Sequence, residues 1–514
     1  MKVGVSGCII FATLGVWAVA ACRTPAADSS TLTILYPGGD MVLGLPEDDS
    51  PKQLVFLPMV RMGANNELEG RLLRGAERLP GTTTWIYHLR SDVRWHDGVP
   101  FTAHDVVFTI DLMRDTLINW LAPGASTLEA TDDTTLRVSY SMANAGSALL
   151  HLDTWQVYFP KHLLKDLDRR QFGAWEFWKR PIGNGPYRFV RSQPKELIVL
   201  EANPDFYAGR PAIDRVVLRL GEPQLAPLLS GEVDLMDIEP ENALALADDP
   251  RFTVRFEVGD MRIGALWNHR DSLFREAAVR RALTLAVDRP TLQRALNLSG
   301  EVLVTDGVYT RRQYRTHDLA PALPYDPDHA RSLLDSLGWR DHDGDGVRDR
   351  AGRPFRFTAI TTPESARAAV LLQEALRRIG VAMEVQPLDA GLVTPRLRSG
   401  DFSAVVARIR NTYDGRYGVV RAFGPRSFLG YRNARVDGVL ERLRMAFEPT
   451  EIEAGYRELG DLIAADVPVT YLAVLATGTV STLRVRGGEA FDSPSPFEII
   501  DRLSLKAPRP APRR

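Results

Sequence analysis

The stretch Trp85–Asp111 reads WIYHLRSDVRWHDGVPFTAHDVVFTID, and its punctuation decides how the chain folds. Trp85, Tyr87 and Leu89 alternate with Thr84, Ile86 and His88, the period of a strand with one apolar face. His96-Asp97-Gly98 then marks a turn. Thr102 follows as a helix cap with Asp105 three residues on, and Val106, Ile110 and Met113 fall on one helical face. Strand, turn and helix succeed one another within a single short span.

The same alternation extends outward. Upstream, Thr31–Tyr36 reads as a first strand. Downstream, Asp326-Pro327 opens a helix whose apolar positions Ala330, Leu333, Leu334 and Leu337 end at Gly338. Thr362-Pro363 opens another, with Leu372, Leu376 and Ile379 before Gly380. A strand with Val381, Met383 and Val385 on one face comes next, then a short helix (Leu392–Arg398) and a strand (Phe402–Ile409). This βαβ-like pattern predicts an α/β architecture with partly parallel sheets. No internal repeat is visible, which argues against a solenoid or propeller.

Composition bounds the function. The 514 residues are 45% hydrophobic, 25% charged and 8% aromatic, an ordinary globular balance that excludes a disordered or fibrous chain. The length suits two to four domains. With 63 basic and 65 acidic residues the formal charge is -2, which argues against nucleic acid as a partner. Mean hydropathy is -0.15, and no apolar run after the first twenty residues is long enough to span a bilayer.

The N-terminus reads Met1-Lys2, an apolar stretch from Val3 to Val19, then Ala20, Ala21 and Cys22, which predicts a signal peptide over residues 1–21. Val19-Ala20-Ala21-Cys22 resembles a bacterial lipobox, so Cys22 is expected to be lipidated and to head the mature chain, with 22–30 as a tether. An uncleaved apolar anchor is the alternative. Cys8 and Cys22 are the two cysteines, so the folded part is expected to carry no disulfide and no thiolate metal site, as suits an oxidising compartment. The Pro- and Arg-rich tail 506–514 is expected to be disordered.

Catalytic signatures are absent: there is no GxxxxGK[ST], HExxH or GxSxG. Gly183-Asn184-Gly185 begins like a dinucleotide loop, but Arg188 stands where a third Gly belongs. His88, His96 and His104 recur at a spacing that suits no usual metal pattern and read as surface or satisfied histidines. Asp341-His342-Asp343-Gly344-Asp345-Gly346-Val347 copies the start of a calcium loop. Gly352 occupies the position of the bidentate acid, however, so a solvated turn is the reading adopted. No metal, no cofactor and no catalytic residue are assigned.

Several segments together resemble the extracytoplasmic solute-binding proteins of the peptide/oligopeptide type, family 5, the receptors of ABC importers. They are Trp85–Asp111, GNGPYRFV (Gly183–Val190), LEANPDFYAGRPAIDRVVLRL (Leu200–Leu220), LLSGEVDLMD (Leu228–Asp237), Leu266–Arg289, Tyr325–Trp339, DGDGVRD (Asp343–Asp349) and RLRSGDFSAVV (Arg396–Val406), in family order. The resemblance implies an α/β, two-lobed periplasmic binding protein with a hinge, its mixed β-sheets flanked by helices. It implies a first lobe over 31–265 with an extra subdomain at 56–180, a second lobe over 266–470, and a return to the first lobe over 471–505. It further implies a monomeric, non-enzymatic receptor, periplasmic or at the cell surface, held to the membrane by its lipid anchor alone. Such a receptor would pass a small-molecule or peptide ligand to an ABC permease. A membrane-anchored secreted hydrolase, or a sensory binding protein of the same fold, are the rival readings.

In peptide-binding relatives a segment after the last second-lobe strand carries an Asp that holds the peptide amine. The corresponding stretch here is Arg408-Ile409-Arg410-Asn411-Thr412-Tyr413-Asp414. Asn411 takes the place of that Asp, and a neutral amide forfeits the charge-assisted bond to an ammonium. Arg408 and Arg410 would favour a carboxylate or phosphate. Free-amine peptides are therefore expected to bind poorly, and anionic or uncharged polar solutes better. Tyr413, Asp414, Tyr36 and Tyr471 are further ligand-binding candidates, and Trp267 and Asn268 are placed at the first hinge crossing.

Overall fold

The computed structural model describes residues 30–37, 51–62, 68–115, 125–140, 157–296, 322–410, 422–446, 448–487 and 500–506. Cys22, Asn411, Tyr413, Asp414 and most of the tail lie outside the described residues. Among them, no helix is long and apolar enough to cross a membrane.

A ten-stranded sheet runs through the described protein in the order 382–387, 356–361, 404–410, 252–267, 469–482, 235–238, 31–36, 215–220, 197–202, 187–193. Each half is covered on both faces. In the first lobe Leu32, Ile34 and Leu218 face a large core, while Leu35, Met236 and Val480 face a smaller one. In the second lobe Ile263, Trp267 and Phe357 pack under Leu283, Leu334 and Leu372, and Ile360, Val405 and Tyr471 pack under Val439 and Leu459. Apolar burial on both faces, about 1.5–3 kcal/mol for each large side chain, holds such a layered structure together.

The opening stretch folds as its pattern dictates. Thr84–Leu89 lies inside an antiparallel four-stranded sheet with Leu73–Arg78, Thr135–Tyr140 and Ala125–Ala130. Ala103–Asp115 is the helix, with Val106 and Ile110 fully buried. Asp105 closes the cap from inside: its carboxylate accepts the Thr102 N–H at 2.8 Å and the Thr102 hydroxyl at 3.2 Å. This subdomain shares the first lobe's core, and so do Ile500 and Leu503 near the far end of the chain. Arg61 and Arg71 both reach the Asp501 carboxylate, at 3.4 and 2.9 Å, and tie that end down.

The later signals hold as well. Asp326 caps Pro327–Ser336 by accepting the His329 N–H at 2.9 Å. The acidic stretch is an exposed turn: Asp341 accepts the N–H groups of Gly344 and Gly346, and Asp345 that of Val347. It leads into the hairpin pair 349–350 and 353–354.

Two long strands, Phe252–Trp267 and Val469–Thr482, belong to both lobes. Phe252–Val258 pairs with Thr482–Ala476 in the first lobe, and Arg262–Leu266 pairs with Val474–Val469 in the second. Between Val258 and Arg262 the register shifts, because one strand spends more residues than its partner. Such an irregularity bends a sheet and sharpens its twist.

The candidates Trp267, Asn268 and Tyr471 take their places relative to this break. Trp267 and Asn268 lie beyond it, at the far end of the strand. Trp267 is fully buried in the second core, and its indole N–H donates to the Thr470 hydroxyl at 3.0 Å. The Asn268 amide donates to the Gly400 and Phe402 carbonyls. Tyr471 precedes the break along its strand and packs in the core that holds Val439 and Leu459.

Candidate ligand cleft between the lobes

Parallel strands place the candidate site. In the first lobe 31–36 is parallel to 215–220 and to 235–238, so Tyr36, Leu220 and Ile238 end together. In the second lobe 356–361 is parallel to 382–387 and to 404–410. In open α/β sheets the crevice outside the carboxyl ends of the strands receives the ligand.

The sequence-selected residues separate on this frame. Tyr36 ends its strand and is buried in the first-lobe core, with 7% of its surface exposed. Arg408 is exposed and pairs across the sheet with Ile263, and Arg410 pairs with Met261, next to the register break. Both arginines therefore stand beside the crossing. Glu364 lies close enough to feel Arg408. Its own backbone N–H and the Thr362 hydroxyl hold its carboxyl below the usual range, and the Arg408 charge adds to this. Tyr471 forms part of the crossing itself: the guanidinium carbon of the fully buried Arg262 lies 3.6 Å from its ring centroid.

Sequence reasoning missed three residues here. Arg262 carries a charge into the long crossing strand. Gln293, on the helix Arg289–Ala295, reaches the Val474 backbone at the break. Asp237 sits in the strand Leu235–Ile238, where its neighbours Met236 and Ile238 are core residues. A charged side chain interrupting an apolar run was the available signal for Arg262 and Asp237, and Gln293 offered none.

Two of the selected segments meet elsewhere, in the first lobe. His96 accepts the Gly183 N–H on Nδ1 at 3.2 Å and meets the Gly185 carbonyl through Nε2 at 3.1 Å. Burial holds its pKa down at about 4, so the ring is neutral and acts as a clamp. Gly183 and Gly185 are glycines because the Val55 and Leu54 carbonyls press against them: an added Cβ would fall 1.9 and 2.5 Å from those oxygens. The GNG motif is thus a close backbone approach, reinforced where the Asn184 side chain accepts the Leu57 N–H at 2.8 Å.

Comparison with known proteins identifies the architecture. The model for "Bacterial extracellular solute-binding proteins, family 5 Middle" matches residues 67–426. The chain belongs to family 5 of the bacterial extracellular solute-binding proteins. It is 26% identical over 477 residues to the oligopeptide-binding protein AppA of Bacillus subtilis, covering 85% of this chain and 86% of that one. The structure of that AppA in complex with a nonapeptide superposes with a TM-score of 0.69 at 22% identity, over 93% of this chain and 99% of the other. NikZ of Campylobacter jejuni, solved with Ni(L-His), gives 0.70 at 22% identity over 90% and 95%. The substrate-binding protein CtaP of Listeria monocytogenes gives 0.78 at 20% over 92% and 99%. The two-lobed fold is therefore that of family 5.

Proposed function

We propose that this family 5 protein is the extracytoplasmic receptor of an ABC importer, and that it captures a peptide-like or other polar solute between its lobes by reversible closure, without catalysis. The observation that carries this reading is the pair of crossing strands with a register break at Val258–Arg262. A sheet whose two long strands shift register between Val258 and Arg262 and again between Ile263 and Gly264, with each half supported by its own cores, suits hinge motion of two preformed lobes. The similarity to AppA, solved with a nonapeptide, supports a peptide-like ligand, and that to NikZ, solved with Ni(L-His), supports a small chelate. Within the proposal, Arg408 and Arg410 take an anionic group of the solute, together with the segment Asn411–Asp414. The lobes divide at the register break, Cys22 carries the lipid anchor, and the protein works as a monomer.

Mass spectrometry of whatever remains bound through mild purification tests the ligand class. Small-angle scattering with that ligand tests the mechanism. Stabilisation following RT ln(1 + [L]/Kd), about 2.7 kcal/mol at a hundredfold excess over Kd, is expected together with a smaller radius of gyration. Stabilisation without compaction would refute closure and leave plain binding standing.

A further inference from the structure

Asp237 occupies an unusual place in the first lobe. In its strand Met236 and Ile238 face the smaller core, so alternation puts Asp237 on the opposite face with Leu235. The parallel pairs Ile34–Leu235 and Leu35–Met236 bring the two strands to their carboxyl ends together, one residue beyond Met236 for Asp237. On its other side Asp237 pairs with Thr479 of the crossing strand, whose hydroxyl donates to Oδ1 at 2.6 Å. Asp237 keeps some exposure.

An ionised carboxylate can accept about four hydrogen bonds. Among the described residues Asp237 receives that single one, and no cation meets it. Burial pushes its carboxyl pKa up, which the Thr479 bond only partly offsets. The contrast with Asp234, three residues earlier, is sharp. Asp234 accepts the Thr33 N–H at 3.0 Å, the Thr482 hydroxyl at 3.3 Å and the Arg484 guanidinium at 3.0 Å. Asp234 is a strut with its charge neutralised. Asp237 is an acid enclosed at a strand end without a counter-charge, an arrangement that disfavours the folded state unless something cationic arrives.

We infer that Asp237, at the carboxyl end of its strand, is the first lobe's receptor for a cationic group of the solute, a primary ammonium or a guanidinium. The inference rests on the proposed solute-binding role. An ammonium brings three donors to a carboxylate that lacks them. With arginines at 408 and 410 on the second lobe, the solute class becomes dipolar: cationic toward the first lobe, anionic toward the second. The expectation of poor free-amine binding, drawn from Asn411 with Arg408 and Arg410, is thereby reversed. The amine anchor that Asn411 lacks is supplied from the opposite wall.

Calorimetric titration tests this with two probes: a mixed library of tri- to pentapeptides with free amines, and the same library N-acetylated. Wild type is expected to bind the free-amine library at least tenfold better. Asp237→Asn, and Asp237→Ser should the first variant fold poorly, are expected to lose that discrimination with a melting temperature equal to or above that of wild type. Thr479→Val, which removes the hydroxyl and keeps the charge, should preserve the discrimination. Equal binding of both libraries by wild type, or discrimination that survives Asp237→Asn, overturns the anchor and leaves the solute-binding reading intact. Parallel losses of binding and of melting temperature in Asp237→Asn and Thr479→Val would make the pair a structural strut, and that too overturns it. Binding of neither library by wild type overturns the peptide-like reading, and the anchor falls with it.

Discussion

Gln293 and Val474 exchange both hydrogen bonds available between a side-chain amide and a backbone. Gln293 Nε2 donates to the Val474 carbonyl at 2.8 Å, and the Val474 N–H donates to Gln293 Oε1 at 3.2 Å. Val474 lies at the register break, so a second-lobe helix holds the crossing strand at the point where the sheet bends. Gln293→Ala leaves a buried N–H and a buried carbonyl without partners, at about 1–3 kcal/mol for each orphaned group. Urea unfolding should show that loss. Gln293→Glu should cost more, since a carboxylate cannot donate to the carbonyl and its charge is buried. A midpoint within 0.5 kcal/mol of wild type for both variants (on the order of a surface substitution) would refute the clamp.

Acid sensitivity should follow two buried histidines. Burial lowers His96 to about 4, and burial together with the Arg280 charge lowers His269 to about 3. Both therefore stay neutral in the folded protein while the unfolded chain takes up protons below about 6.5. Their contribution to stability is complete above that pH and is lost as pH falls toward 4 and 3, at about 1.4 kcal/mol per pH unit for each group. Urea titrations at pH 7.5, 6 and 5 should show the decline, and His96→Gln should flatten it by about one proton. A stability independent of pH over that range would contradict both assignments.

Gly183→Ala should be severely destabilising, because its Cβ would lie 1.9 Å from the Val55 carbonyl oxygen. Gly75→Ala, where an added Cβ meets nothing within 4 Å, serves as the control and should change the melting temperature little. Equal melting temperatures for the two variants would refute the close approach of Gly183 to the Val55 backbone.

Arg408→Ala should weaken a solute with a free carboxylate by roughly tenfold or more and leave its amidated analogue nearly unaffected, since a charge-assisted bond is worth about 1.5–3 kcal/mol. Titration of both ligands reads the difference directly. Equal losses for the two would assign Arg408 a packing role.

Cys22→Ser should move the protein from the membrane fraction to the soluble fraction, as expected if Val19-Ala20-Ala21-Cys22 is a lipobox. Retention in the membrane would favour an uncleaved apolar anchor.

Local rules made much of this protein legible in advance. Thr31–Tyr36, the strand at 84–89, the helix that starts at Ala103 and the Asp326 cap all appear where the periodicity and punctuation place them. Each depends on contacts within a few residues, which sequence encodes directly. The ordered set of motifs also carried the family and the two-lobed fold. The crossing did not follow, because a register shift at Val258–Arg262 depends on how residues about two hundred positions away pair with the strand. Trp267, expected at the hinge crossing, is fully buried beyond that shift. Separations of 242 and 181 positions likewise divide Asp237 from Thr479 and Gln293 from Val474. Sequence alone determined the elements and the family. Only tertiary structure decided which polar side chains meet at the bend and which acid is left without a counter-charge, because both follow from long-range pairing and burial.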